Sequence, residues 1–308
     1  MRRRLLLALL AFVLVAPAAW YLIKNPERAT LDDDARRAAP GRFVQTSVGL
    51  THYELAGPDS GRTVVLVHGF SVPSYIWDST FIALRARGLR VLRYDLIGRG
   101  WSERADIAYD PPAHDRQLVE LLDSLRITDP VDVVGLSFGG LVAAWFTAEH
   151  PARTRSLVLV DPLSRPREFP SVLSRPIIGD FVWQTSAVPS MPAGQPTDFL
   201  HPERFPDWES RYRPQMRYRG FGRALRRAGL ASGKVDFAAL FNRVAATGKP
   251  VLLVWGRQDP TTPFEHHTDV TSRIAAAEFF PVDSSGHLPH MEQTAAFNAR
   301  LFDFLGRH

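Results

Sequence analysis

Hydrophobic positions fall into three regimes along the chain. From Leu5 to Ile23 no charged residue interrupts the sequence. Beyond Phe43, short β-rich apolar runs recur at Thr63–Val67, Arg90–Asp95, Val131–Leu136, Ser156–Val160, Val251–Trp255 and Ala277–Val282. Helical stretches lie between most of them: Ile76–Arg87, His114–Leu125, Phe138–His150 and Phe264–Ala276, with a last one from His290 to Leu305. Runs that are apolar without alternation suit strands buried on both faces, and strands separated by helices pair in parallel. Two alternating segments, Phe43–Val48 and Thr51–Ala56, joined by Gly49-Leu50, predict a β-hairpin ahead of them. The pattern predicts an α/β protein, a mostly parallel sheet with helices on both faces.

The alternation fails once, over residues 163–234. That stretch is rich in proline and aromatics, shows no clear strand, and carries twelve Arg/Lys against six Asp/Glu. It is expected to be an inserted helical lid or cap, because insertions at the carboxyl ends of parallel strands lie where such sheets bind ligands. The core then comprises residues 43–162 and 235–308. Residues 25–42, with Pro26, Asp32-Asp33-Asp34 and Pro40-Gly41, read as a polar linker, the acidic run being a solvated surface or helix start.

The first 24 residues concern a membrane. Arg2, Arg3 and Arg4 precede the uncharged run, whose nineteen residues span roughly 28 Å as a helix, close to the thickness of a bilayer's hydrocarbon. Trp20 and Tyr21 near its far end suit the interface, and the arginines place the body on the non-cytoplasmic side. A cleaved signal peptide, with Ala16-Pro17-Ala18 as its small-residue site, fits the same features and would give a secreted protein. The Trp20–Ile23 continuation favours a retained anchor.

Charge and composition narrow the classes. The net charge is +5, of which Arg2, Arg3, Arg4 and Lys24 supply +4, leaving +1 for the rest. So neutral a body is a poor polyanion binder, and nucleic acid is excluded as a partner. The absence of cysteine removes thiolate catalysis, disulfides and cysteine-bound metals.

The chemistry concentrates at Gly135-Leu136-Ser137-Phe138-Gly139, which follows an apolar strand and opens a helix. A serine at so tight a turn sits in strained backbone, so its neighbours two before and two after must lack side chains. The helix N-terminus beyond offers free N–H groups to a developing oxyanion. Four further motifs accompany it. His68-Gly69-Phe70 follows the third strand, Asp95-Leu96-Ile97-Gly98-Arg99-Gly100-Trp101-Ser102 the fourth, and Asp259 and His287 each follow a late strand.

From Phe43 to its end the chain resembles the α/β-hydrolase family, in its serine esterase and lipase branch, and is similar to membrane-anchored monoacylglycerol-lipase-like members. The resemblance implies an eight-stranded, mostly parallel sheet and a catalytic set of Ser137, Asp259 and His287, with the Phe70 and Phe138 backbone N–H groups as oxyanion donors. It implies no cofactor and no metal. Serine at the turn departs from dehalogenases and epoxide hydrolases of this fold, which carry aspartate there. The expected reaction is hydrolysis of a small-molecule carboxylic ester, lipid-like or with a small apolar acyl group. Amidase, aminopeptidase or carbon–carbon bond hydrolysis on the same residues is the alternative. The loop His68-Gly69-Phe70-Ser71-Val72 lacks the His-Gly-x-Gly-Pro-Gly pattern that the carbon–carbon enzymes resemble.

Three rivals are weighed in sequence. Asp95 precedes the serine, out of order for the acid. Asp161, ending the strand before the insertion, is the alternative acid, and His290 the alternative base. His68 is expected to support the oxyanion loop. In the insertion, Phe169, Phe181, Trp183, Phe199, Trp208, Tyr212, Tyr218 and Phe221 are expected to line an acyl pocket. Arg219, Arg223, Arg226 and Arg227 share a helical face by spacing, either solvated or set to meet an anionic headgroup or a substrate carboxylate. Oligomeric state is not legible.

Overall fold

The structure, a computed structural model, describes residues 15–308. Eight strands form one sheet: β1 (Arg42–Thr46), β2 (Gly49–Ala56), β3 (Thr63–Val67), β4 (Arg90–Tyr94), β5 (Val131–Leu136), β6 (Thr154–Val160), β7 (Val251–Gly256) and β8 (Glu278–Val282). Their spatial order is β1-β2-β4-β3-β5-β6-β7-β8. β2 pairs antiparallel with β1 and β4, and every other pairing is parallel.

Every residue of β3, β5 and β7 is buried. Side chains alternate across the sheet, so Val65 and Val67 join one core and Val64 and Leu66 the other. On one side, α1 (Asp78–Ala86) packs with the C-terminal helix; on the other, α2 (Pro111–Ser124) packs with α3 (Phe138–Glu149). Each buried Val or Leu contributes about 1.5–3 kcal/mol of burial, which makes these strands a rigid platform for what protrudes from their ends.

Three local expectations are corrected. The hairpin turn falls at Ser47-Val48, not Gly49-Leu50, and Gly49 pairs directly with Thr46. Thr46 Oγ1 donates to Gly49 O at 2.6 Å and Ser47 Oγ to the Glu120 carboxylate at 2.6 Å, which closes the turn early. The expected helix over 264–276 shrinks to a 3-10 turn, Phe264–His266, and His267–Thr271. Its His, Thr, Asp and Ser residues are weak helix formers. The last helix breaks at Gln293 (φ −121°, ψ 47°), separating Pro289–Glu292 from the long C-terminal helix Thr294–Arg307.

Between β6 and β7 the chain forms the cap, a series of short elements that includes a π-helical turn, Trp183–Ala187. Its one long helix is α4 (Phe221–Ser232), and α5 (Phe237–Ala246), not foreseen in the sequence, returns to the core beside α3. Three of the four arginines expected on a cap face are committed to internal contacts. Arg223 donates to Arg104 O at 2.8 Å, Arg226 to Asp180 at 2.8 Å and Arg227 to Ile107 O at 2.8 Å. Arg219 precedes the helix and does not share its face. They pin the cap instead of forming a free cationic surface.

Residues 25–31, expected within a linker, are hydrogen-bonded to the cap. Asn25 Oδ1 accepts from Gln184 at 2.7 Å, and the Glu27 carboxylate accepts the Gly220 and Gly222 N–H groups, both at 2.7 Å. Asp32 caps the short helix Asp33–Arg36, so the acidic run is a helix start. Among the described residues no helix is long and apolar enough to cross a membrane. Most of the expected anchor run from Leu5 lies outside the described residues.

Candidate active site

β5 delivers Ser137 to the end of the sheet, and α3 begins one residue later. Ser137 has φ 54° and ψ −117°, a conformation that costs about 1–3 kcal/mol for a residue with a side chain. The turn is tight enough to dictate its flanks. A Cβ on Gly135 would lie 2.3 Å from Gly139 O, and one on Gly139 would lie 2.4 Å from the carbonyls of Val67 and His68. The chain is held on both sides, Ser137 N–H donating to Val160 O at 2.9 Å and Leu163 N–H to Ser137 O at 3.1 Å.

The loop after β3 carries Phe70. His68 is fully buried, and burial pushes its imidazole down to about 4, so it is neutral. Its Nε2 accepts the Leu96 N–H at 2.9 Å, which leaves the proton on Nδ1, 2.8 Å from Gly69 O. Gly69 C=O and Phe70 N–H belong to one planar peptide, so this bond also fixes where the Phe70 N–H points. Phe138 is the first residue of α3, and its N–H has no intrahelical acceptor. The two rings meet edge-on at 5.9 Å, and the buried Arg99 guanidinium lies 5.8 Å from Phe70's ring and 5.3 Å from Phe138's.

His287 and Asp259 come from the loops after β8 and β7. His287 Nδ1 lies 2.7 Å from Asp259 Oδ2. Burial opposes charge on the imidazole, yet the attraction and hydrogen bond of Asp259 outweigh it and hold His287 above the ordinary histidine range. Burial likewise opposes the Asp259 carboxylate, and His287 with the Thr262 hydrogen bonds keeps it low. Asp259 Oδ1 accepts the N–H groups of Thr261 at 2.7 Å and Thr262 at 2.9 Å, and Oδ2 accepts Thr262 Oγ1–H at 2.6 Å.

The rivals separate by their partners. Asp161, Asp259 and His287 offer donor atoms within 4.8 Å of one another, but only Asp259 bonds the imidazole. Asp161 is buried beside the Asp259 charge, and both effects push its carboxyl well above the usual range. Its Oδ1 accepts Gly256 N–H at 2.8 Å, while its Oδ2 receives no donor, the pattern of a carboxylic acid keeping its own proton. Asp95 is sealed in a separate knot. Burial would raise it, but His52 Nδ1 at 2.8 Å and the N–H groups of Ser74 at 2.9 Å and Trp101 at 2.8 Å hold it ionised. His290 donates from Nε2 to Ile76 O at 3.1 Å, packs 4.3 Å from the Trp77 ring, and is pushed down by burial to about 3.

Ser137 and His287 line one cavity of about 430 Å³, with Val72, Ile76, Met191 and Leu288 among its apolar walls. Ser137 also lines an adjoining lobe of about 290 Å³ bordered by Arg165, Arg167 and Glu168. Of the eight cap aromatics expected at a pocket, Phe169 and Trp183 reach these walls. Phe199, Trp208, Tyr212 and Phe221 are packed inside the second core. Sequence reasoning missed Thr262 and Glu292. The Glu292 carboxylate is buried and accepts the Gly286 N–H at 2.7 Å and the His201 N–H at 2.9 Å, tying the His287 loop to the cap. The Asp259-Pro260-Thr261-Thr262 turn was the available signal for Thr262; for Glu292 there was none.

The chain resembles known proteins over most of its length. A family model described as "Alpha/beta hydrolase family" matches residues 64–300. The chain is 27% identical over 253 residues to a pimeloyl-[acyl-carrier protein] methyl ester esterase of Neisseria meningitidis, covering 80% of this chain and 78% of that one. It is 26% identical to a 2-hydroxy-6-oxononadienedioate/2-hydroxy-6-oxononatrienedioate hydrolase of Paraburkholderia xenovorans, covering 87% and 96%. Among solved structures, the enol-lactonase from Burkholderia xenovorans superposes with a TM-score of 0.75 at 22% identity, over 86% of this chain and all of that one (100%).

Proposed function

The chain belongs to the alpha/beta hydrolase family, and from that premise we propose that it hydrolyses carboxylic esters through an acyl-enzyme on Ser137. His287 takes the Ser137 proton as Oγ attacks the ester carbonyl, and the Phe70 and Phe138 N–H groups receive the oxyanion. The proton passes from His287 to the leaving alkoxide, releasing the alcohol. A water, deprotonated by His287, then attacks the acyl carbon and frees the acid. Asp259 keeps the imidazole in the Nδ1–H tautomer and stabilises its protonated form.

The observation that carries this reading is a strained Ser137 that lines the same cavity as His287, whose Nδ1 lies 2.7 Å from Asp259 Oδ2. The larger lobe, with Val72, Ile76, Met191 and Leu288 in its wall, suits the acyl chain, and the smaller lobe, bordered by Arg165 and Glu168, the alcohol. We place the enzyme on the non-cytoplasmic side of a membrane, on the strength of the Arg2–Arg4 cluster and the uncharged run after it.

A fluorophosphonate should label the wild type and fail on Ser137→Ala. A panel of nitrophenyl esters, matching anilides and a vinylogous 1,5-diketone acid then decides the bond. Faster cleavage of the anilide or the carbon–carbon substrate than of the ester rejects the ester assignment.

A further inference from the structure

Among the described residues, six of the eight exposed large apolar side chains gather in one place, Ile82 and Leu200 being the exceptions. Val15, Trp20, Leu22 and Ile23 are exposed on the helical segment 15–24, and Ile177 and Ile178 on the cap. The two sets are neighbours, because Tyr21 stacks on Phe181, three residues beyond Ile178, with ring centroids 6.3 Å apart. The Asn25–Gln184 bond and the Glu27 contacts with Gly220 and Gly222 fasten the same segment to the cap.

Ile177 adds a conformational argument. Its φ of 64° and ψ of −61°, with Ile178 N–H donating to Pro176 O at 2.6 Å, make a γ-turn whose centre is a β-branched residue. That backbone is unfavourable for isoleucine. The side chain it presents is 82% exposed. Strain and exposure both cost free energy in water, and both are offset when the tip enters an apolar phase.

Charge says which phase. Lys24 lies 4.9 Å from the Trp20 ring, and Arg28 and Arg175 are exposed nearby in the same two segments. The adjacent carboxylates are occupied, Glu27 by backbone N–H groups and Asp180 by Arg226. The segment also continues the uncharged run that begins at Leu5, and Trp20 and Tyr21 suit a headgroup layer. We propose that segment 15–24 and the Ile177–Ile178 turn form one docking face for the interface of an anionic lipid bilayer.

The docking itself is independent of the ester reading; its bearing on substrate rests on that reading. Ile178 opens a helix that runs directly into Trp183, which lines the Ser137 cavity. About one and a half helical turns therefore separate the docking face from the cavity wall. An ester dissolved in the bilayer would reach Ser137 along this side of the cap.

The chain has no cysteine, so single-site labelling is unambiguous. The full-length variants Ile177→Cys, Trp20→Cys and Asp59→Cys, the last at a fully exposed position on the β2–β3 loop, are each labelled with a nitrobenzoxadiazole probe. They are mixed with phosphatidylcholine/phosphatidylglycerol vesicles containing acyl-chain spin labels. Blue-shifted, quenched emission at positions 177 and 20 with none at 59 is expected. A response at 20 alone overturns the composite face, and no response at either overturns docking. Neither readout needs turnover. Ile177→Ser/Ile178→Ser should then lose hydrolysis of a long-chain ester in vesicles and retain that of a water-soluble ester; equal rates with wild type on both substrates reject the role in substrate delivery.

Discussion

Burial and the neighbouring Asp259 charge both push the Asp161 carboxyl well above its usual range, and this decides what substitutions there will do. Asp161→Asn keeps a donor facing Asp259 and should retain most activity. Asp161→Leu removes it and should lower kcat by about tenfold, the effect of losing roughly one hydrogen bond of 1.4 kcal/mol. Equal losses in the two variants would show that the proton is irrelevant. His287 sets the pH profile. A base must be unprotonated, and its pKa is raised, so the acid limb of kcat/KM should fall above pH 6.5. Asp259→Asn should move that limb to lower pH and reduce kcat by about 10⁴. His68→Ala frees the Gly69–Phe70 peptide and should cost about 10²-fold in kcat with KM little changed. In sequence, chain order set Asp95 aside, and strand-end context preferred Asp259 to Asp161 and His287 to His290. Thr262 works within its own turn, where its signal was available, whereas Glu292 was invisible because its work is done by hydrogen bonds into other segments, one of them 91 residues away.

The elements that could be read from sequence are those whose pattern is set by burial alone. β3, β5, β6 and β7 are apolar on both faces and announce themselves. The hairpin turn depends on a side-chain bond to Glu120, and the short helix His267–Thr271 and the break at Gln293 on local propensity and backbone geometry, which periodicity does not record. The cap is the extreme case, its short pieces being held mainly by partners outside themselves. Two predictions belong here. Gly139→Ala places a Cβ 2.4 Å from two carbonyls and should destabilise the protein by about 1–3 kcal/mol, seen as a lower denaturant midpoint. Glu27 caps α4 from another segment, and Glu27→Ala should cost about 1–2 kcal/mol by the same measurement, with Glu27→Gln intermediate.

As a whole the molecule is a rigid sheet with its chemistry at one end and a cap clasped by the beginning of the chain. Its cationic excess lies at the N-terminus, Arg2, Arg3, Arg4 and Lys24 supplying +4 of the net +5. Double-stranded DNA in the assay should therefore leave ester turnover unchanged at moderate salt. The clasp has a temporal side. Glu27 and the two N–H groups it holds are 193 and 195 residues apart, so a chain emerging from its N-terminus exposes the clasp long before its receptor exists. Closing so long a loop costs chain entropy before the contact repays it, so the clasp is expected to form after the main folding barrier. Its free energy then slows escape from the finished state without hastening arrival. In stopped-flow denaturant jumps, Glu27→Ala should unfold several-fold faster than wild type and refold at the same rate. The clasp is thus a lock on the lifetime of the closed enzyme, set only once everything else is in place.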